Sequence, residues 1–199
     1  MKNIFVTLSV VFALAASGIA NAVPTPYSPI GTQNAAVYTF TAATTSDLIG
    51  YFAGSTASYT NDLTLLVNGV ATNVHGLNNQ TSIYGQAFNF GAVTQGDILV
   101  FVLSNILPGG IGPWYSQASL NSDFVNHVYS AAYLGDPLLS AGTYVSFEDL
   151  QGGGDFNYAD ISFVFSNVAV EVPEPTSIAL LGFGILGIAL SRRKKGQAG

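Results

Sequence analysis

The sequence predicts an all-β fold, an antiparallel β-sandwich or jelly-roll-like domain, between two terminal segments that do not belong to a packed core. Short runs of β-branched and aromatic residues alternate with Gly, Asn, Ser and Thr, and the middle of the chain shows no convincing long helix. Asn68-Gly69 separates two apolar runs and is typical of a type I′ hairpin turn, because both residues tolerate a positive φ. Seven or eight such strands favour two packed antiparallel sheets.

Turn residues bound the predicted strands, and the run ILVFVL is typical of a central strand covered on both faces. Strands are expected at 35–40, 47–53, 63–74 (on both sides of Asn68-Gly69), 87–90, 98–104, 143–147 and 161–165. The stretch 107–135 has no clear period, so it is either a lid-like loop or a segment whose aromatic residues plug one end of the sandwich. Within it, 123–132 fits a helical turn or a ragged strand.

The first 22 residues have the pattern of a secretory signal peptide. Lys2 precedes an apolar stretch at 4–16, and Ala20 and Ala22 form the small-x-small site at which signal peptidase would leave Val23 first. The alternative is a buried N-terminal helix, which leaves the lone lysine and the missing amphipathic stripe unexplained.

The chain ends with an apolar run of 13 residues at 178–190, followed by Arg192, Arg193, Lys194 and Lys195. Such a run forms about 20 Å of helix, which is marginal for a hydrocarbon core of about 30 Å. The basic cluster stays cytoplasmic, so a C-terminal transmembrane helix places the middle of the chain outside the cytoplasm. We interpret the tail as a temporary sorting signal, with a stable anchor as the alternative. The predicted units are a signal peptide at 1–22, an extracytoplasmic β-sandwich domain at 23–172 and a sorting signal at 173–197.

Charge is distributed unevenly between the middle of the chain and its ends. All five Lys and Arg lie outside 23–175 and all eleven Asp and Glu lie inside it, which gives the exported part a formal charge of −11. Such a surface repels phosphate backbones, which excludes nucleic acid as a partner, and attracts divalent cations. Alternatively, the charge only keeps the protein soluble. The absence of cysteine excludes disulfides and a lipoprotein anchor.

Four acidic residues, Glu148, Asp149, Asp155 and Asp160, flank a triple glycine between two predicted strands. Carboxylates are hard oxygen ligands, Asn157 can add a carbonyl oxygen, and glycines let backbone carbonyls approach an ion, as Ca²⁺ requires. These five residues are therefore candidate calcium ligands. The alternative is a solvated acidic hairpin turn without metal.

Catalytic signals are absent, and we expect no enzymatic activity. His75 and His127 lack ligand partners at zinc spacing and are expected at the surface or in turns, and no G-x-S-x-G occurs. Glu148 and Asp149 are adjacent, so they point to opposite faces of a strand and make a poor catalytic pair. Trp114 and Tyr115, in a Gly/Pro-rich stretch, are the best candidates for a platform that stacks on sugar rings.

The end of the chain resembles the PEP-CTERM sorting signal of exported bacterial proteins. The resemblance covers about the last 25 residues: Pro173-Glu174-Pro175, a Gly-containing apolar helix and a basic cluster. In that family an exosortase, a membrane-embedded transpeptidase, cleaves near the Pro-Glu-Pro, and the protein is released or attached to extracellular material such as exopolysaccharide and biofilm matrix. The resemblance implies that Pro173, Glu174 and Pro175 are the recognition motif and that 192–195 is the retention signal.

The middle of the chain resembles a β domain of unknown function that is associated with calcium. The stretches YTNDLTLLVNGV, GDILVFVLSN and FEDLQGGGDFNYADISF carry this resemblance. The sequence departs from the domain's usual ending at Phe156, Asn157 and Ala159, which removes at least one carboxylate and implies a weaker calcium site or none.

Together these features predict an exported protein that passes through the inner membrane to the cell surface or the extracellular matrix. We expect a structural or adhesive component of exopolysaccharide or biofilm. The alternative is a calcium-assisted carbohydrate-binding module that uses the Trp114 region.

Overall fold

The computed structural model describes residues 26–106 and 111–172. The predicted signal helix and the predicted C-terminal transmembrane helix lie outside these ranges. Inside them, the structure has no helix with the length and apolar character that a membrane crossing requires.

The described residues form eleven strands in two antiparallel sheets, which confirms the predicted all-β fold class. Two short 3₁₀ turns, Ala118–Leu120 and Gln151–Gly153, complete the regular structure of these ranges. The strands are β1 Thr39–Ala42, β2 Ser46–Ser55, β3 Asn61–Val67, β4 Val70–Ala71, β5 Ala87–Val93, β6 Ile98–Asn105, β7 Trp114–Tyr115, β8 Val128–Tyr133, β9 Gly142–Phe147, β10 Ile161–Phe165 and β11 Val168–Glu171.

The two sheets pack face to face around one hydrophobic core. Sheet I has the order β11-β1-β6-β3-β4, with β7 also paired to β6, and sheet II has the order β5-β2-β10-β9-β8. Inward-facing residues of β6, among them Phe101, meet residues of sheet II such as Phe165, and these two rings stack at 4.1 Å. Residues such as Val100 face the opposite side of sheet I, which explains why β6 is apolar on both faces.

Most predicted strands match the structure, and the run at 161–165 has the predicted bounds. The first strand begins at Thr39 rather than at residue 35. β8 and β11 were not predicted as regular strands. Both lie at sheet edges, where a strand pairs with one neighbour only and its apolar pattern is short. The segment 107–135 contributes Trp114, which is 2 % exposed, to the core, so the plug interpretation holds for this residue.

The hairpin between β3 and β4 has the predicted two-residue turn. Asn68 and Gly69 have φ values of 50° and 78°, and Val67 pairs with Val70 across the turn. This is the sign pattern of a type I′ turn, in which both central residues have a positive φ.

We expect Gly69→Ala to destabilise the domain by about 1 kcal/mol, because an L residue with a Cβ is strained at this positive φ. Gly69→Asn should cost less, since asparagine tolerates the left-handed region. Urea denaturation of the two variants measures the difference. Equal losses for Ala and Asn would contradict the turn assignment.

Candidate functional site

The loop that connects β9 to β10, residues 148–160 and here called the acidic loop, begins inside the core. Phe147, the last residue of β9, is fully buried. The next two residues, Glu148 and Asp149, are therefore also buried, with 1 % and 4 % of their surface exposed. The glycines then fold the loop back over these side chains. Gly154 has a φ of 52°, and a Cβ at this position would stand 2.8 Å from Oε2 of Glu148. The glycine run therefore permits positive φ and close approach, as the sequence indicated.

Glu148 is held by its own loop. Its Oε1 accepts hydrogen bonds from the backbone N–H groups of Asn157 and Tyr158, both at 2.7 Å. Burial, together with the charges of Asp160 and Asp155, raises the pKa of Glu148 to about 8, although the two N–H bonds oppose the shift. Near neutral pH this side chain is therefore largely protonated.

Asp149 faces a different set of partners. Its Oδ2 accepts a hydrogen bond from Nδ2 of Asn61 on β3 at 2.8 Å, and its backbone N–H donates to Oδ2 of Asp160 at 2.9 Å. Burial and the Asp160 charge raise the pKa of Asp149 to about 6. Glu148 and Asp149 thus diverge, as adjacent residues at a strand end do, and they do not form a catalytic pair.

The acidic loop does not gather its oxygens around one point. Asp155 is exposed and accepts a hydrogen bond from Nδ2 of Asn157. Oδ1 of Asn157 in turn accepts a hydrogen bond from the backbone N–H of Ala159. In the part of the chain that the structure describes, no three His, Cys, Asp or Glu side chains form a group that could hold a metal ion. Ca²⁺ needs six to eight oxygens. In this arrangement the predicted ligands Glu148, Asp149, Asp155, Asn157 and Asp160 do not fit the ion, and calcium binding stays a prediction.

His127 is fully buried, so its expected place at the surface or in a turn is wrong. Its Nδ1 lies 2.9 Å from the carbonyl oxygen of Glu148, and its Nε2 lies 3.1 Å from Oδ2 of Asp123. The carbonyl group and the carboxylate contact opposite sides of the ring and fix its orientation. His75, in contrast, is exposed and lies 3.9 Å from Asp62, as expected for a surface histidine.

Asp123 is kept in its charged form by several donors. Burial alone would raise its pKa, but hydrogen bonds from the backbone N–H groups of Gly152 and Val125 and from His127 hold the pKa below its usual value. The Gly152 contact, at 2.8 Å, ties the segment before β8 to the acidic loop. The spacing Asp123-x-x-x-His127 is visible in the sequence and is the one signal that could have identified this pair.

Trp114 does not form a sugar-stacking platform. Its ring is 2 % exposed, stacks on His127 at a centroid distance of 4.0 Å, and donates Nε1–H to the carbonyl oxygen of Asp149 at 2.7 Å. The stacked indole and imidazole rings cover each other's faces. The predicted glycan contact at Trp114 is therefore wrong, since its ring has no open face. Tyr115 points to the other side of β7 and is half-buried.

Tyr115 lies on the outer face of sheet I, which contains a row of cavities here called the sheet I trough. One cavity of about 550 Å³ is lined by Leu66, Asn68, Gly69, Ile98, Val100, Tyr115, Gln117 and Leu120. A second, of about 480 Å³, is lined by residues 37–40, 98–100 and 116–119, and it shares Ile98, Val100 and Gln117 with the first. A third, of about 200 Å³, continues past Tyr115 and Leu66 to His75.

No Asp, Glu, Lys or Arg lines the sheet I trough. Aliphatic side chains of β6 form its floor, and amide and hydroxyl groups from three separate chain segments form its rim. The sequence did not reveal this surface, because its walls come from β1, β3 and the residues after β7, which are far apart in the chain. The sequence-predicted residues Ala20, Ala22, Val23, Pro173, Glu174, Pro175, Arg192, Arg193, Lys194 and Lys195 lie outside the described ranges.

The raised pKa of Glu148 predicts a pH-dependent stability. Between the ordinary pKa of 4.5 and the folded pKa of about 8, the folded protein holds a proton that the unfolded chain releases, so stability falls as pH rises through this window. Glu148→Gln keeps the acceptor Oε1 and removes the charge. We expect this variant to melt about 2–4 °C higher than the parent at pH 8, corresponding to about 1 kcal/mol in a domain of this size.

Thermal unfolding followed by circular dichroism between pH 4.5 and pH 8 measures this effect, and Glu171→Gln, at an exposed residue, is the matched control. Parallel pH profiles for the parent and Glu148→Gln would contradict the assignment of the titrating group.

Comparisons with known proteins identify the end of the chain. The PEP-CTERM protein-sorting motif matches residues 171–194. No curated protein and no solved structure matches the chain. The chain thus carries a PEP-CTERM sorting motif and is an exported exosortase substrate that is anchored transiently in the membrane and then released to the cell surface.

Proposed function

We propose that the exported domain is an adhesive, non-enzymatic component of the extracellular polysaccharide matrix and that it holds a neutral glycan chain in the sheet I trough. The observation that supports this proposal is the uncharged, elongated trough around Tyr115 and Gln117. The sorting motif supports an exported location, where polysaccharide is the abundant polymer.

The chemistry of the trough suits sugar rings. A sugar has apolar C–H faces and many hydroxyl groups, so it binds to aromatic and aliphatic surfaces that are edged by amides and hydroxyls. The trough supplies Tyr115 and Ile98, which is 49 % exposed, for the apolar contact, and Gln117 and Ser119 for hydrogen bonds. The two larger cavities have the size of ordinary ligand sites.

Charge favours a neutral chain over an acidic one. The exported part of the protein has eleven Asp and Glu and no Lys or Arg between residues 23 and 175, so an anionic polymer is repelled on approach. None of these carboxylates lines the trough, so a neutral glycan meets no buried charge there. An acidic polysaccharide would require a bridging cation such as Ca²⁺.

We expect the purified domain to bind neutral polysaccharides on a glycan array, and Tyr115→Ala to weaken binding about five- to ten-fold through lost ring stacking. Gln117→Ala, at an exposed side chain, should weaken binding without altering the melting temperature. Tyr59→Ala is the matched control, because Tyr59 is 38 % exposed and does not line the trough.

The array is repeated with a chelator and with added Ca²⁺. If acidic glycans bind and only in the presence of Ca²⁺, the ligand is an acidic glycan bridged by calcium rather than a neutral glycan. Silence on every glycan, or binding that Tyr115→Ala leaves unchanged, would contradict the glycan-binding role.

We also expect the protein recovered from the matrix of its own host to run from Val23 to the neighbourhood of Pro175. Intact-mass spectrometry of each cell fraction measures this, and any extra mass on the C-terminus identifies the attachment. A species that retains 192–195 and stays in the membrane fraction would show that the domain acts as an anchored surface protein instead.

A further inference from the structure

The sorting motif begins inside the last strand of the sandwich. β11 spans Val168–Glu171 and the motif covers residues 171–194, so Glu171 belongs to both. Pro173 follows the end of β11 by two residues, and two extended residues span about 7 Å. In the chain, only Val172 therefore separates this edge strand from Pro173.

A protease acts on a chain that it can enclose, and strands that remain paired in a sheet are protected from it. β1 pairs with β11 along all four of its residues, from Thr39 with Glu171 to Ala42 with Val168. We infer that β11 peels from β1 before the sorting enzyme cleaves, so that Val168–Glu171 is part of the segment that this enzyme handles. Peeling precedes the breaking of the peptide bond and involves no covalent change.

β11 can open from one end and remain fixed at the other. At the end next to the motif, Glu171 is exposed and Val172 is 49 % exposed. At the opposite end, Oδ1 of Asn167 accepts hydrogen bonds from the backbone N–H and the hydroxyl of Thr44, both at 2.7 Å. Fraying therefore starts at Glu171 and stops near Asn167.

The side chains of β11 oppose full release without preventing it. Val168 and Val170 pack against the core only as partly buried residues, and β11 has β1 as its neighbour in the sheet order. The hydroxyl of Thr143 on β9 donates to the carbonyl oxygen of Val168 at 2.8 Å, which again fixes the end far from the motif. An edge strand of four half-exposed residues belongs to the least stable part of such a fold.

A disulfide between β1 and β11 tests this inference on the full chain. Thr39 and Glu171 are partners in register on exposed positions, and the natural chain has no cysteine, so Thr39→Cys with Glu171→Cys forms one defined bridge. In a pulse-chase in the native host, we expect the oxidised bridge to slow loss of the tail by about ten-fold, since cleavage follows the open population. A reductant should restore the parental rate in the same chain.

The matched control is a bridge in sheet II, Asp47→Cys with Ala92→Cys, whose residues are also partners in register. It should leave the cleavage rate unchanged with and without reductant. Equal cleavage rates for the oxidised and reduced β1–β11 bridge, with the bridge verified by mass, would overturn the inference.

A second variant separates strand release from other effects of the bridge. An insert of about six Gly and Ser residues between Val172 and Pro173 adds roughly 13 Å of flexible reach. We expect the insert to restore parental cleavage in the oxidised bridge. Cleavage that stays slow despite the insert would also overturn the inference. Neither readout depends on glycan binding, so the result is independent of the proposed function.

Discussion

The absence of Lys and Arg from the described residues constrains how every carboxylate in this fold is held. Amide, hydroxyl and backbone N–H groups donate to most of them instead. Asparagine amides serve repeatedly: Nδ2 of Asn61, Asn68, Asn78 and Asn89 donates to Asp149, Asp97, Asp62 and Asp47, respectively. Backbone N–H groups hold Glu148 and Asp160, and the hydroxyls of Tyr84 and Tyr133 hold Asp136. Such bonds satisfy the oxygens but leave the negative charge in place.

The hydrogen bonds hold the carboxylates without neutralising their negative charge, and this has two consequences. The buried Glu148 keeps a proton near neutral pH, because no Lys or Arg of the described ranges is there to neutralise its charge. His127 lies at this end of the sandwich, where Asp123, the Glu148 carbonyl group and the face of Trp114 hold its ring. The remaining charge stays at the surface, and under the proposed function the uncharged sheet I trough is where a neutral glycan meets no carboxylate.

The sequence predicted what depends on neighbouring residues and missed what depends on distant ones. Asn68-Gly69 dictates its turn through its own φ preferences, and ILVFVL is a central strand because its apolar side chains serve both faces of sheet I. Whether Trp114 stacks on a sugar or on His127 depends on how β7 lies relative to the residue just before β8, and neither strand had a clear sequence pattern. The trough could not be predicted, because its walls converge only after sheet I has formed.

Sheet I links the proposed delivery step with the proposed glycan binding, because β1 takes part in both. β1 pairs with β11, which leads into the sorting motif, and residues 37–40 line one wall of the trough. When β11 peels away, β1 becomes an edge strand that keeps β6 but loses one of its two neighbours, so we expect the trough wall to be less ordered while the tail is being processed. Once the tail is removed, β11 can return to β1 and the wall is restored. If the two proposals hold, the domain is best suited to bind a glycan after release, because the strand that the enzyme draws out supports the strand that lines the trough.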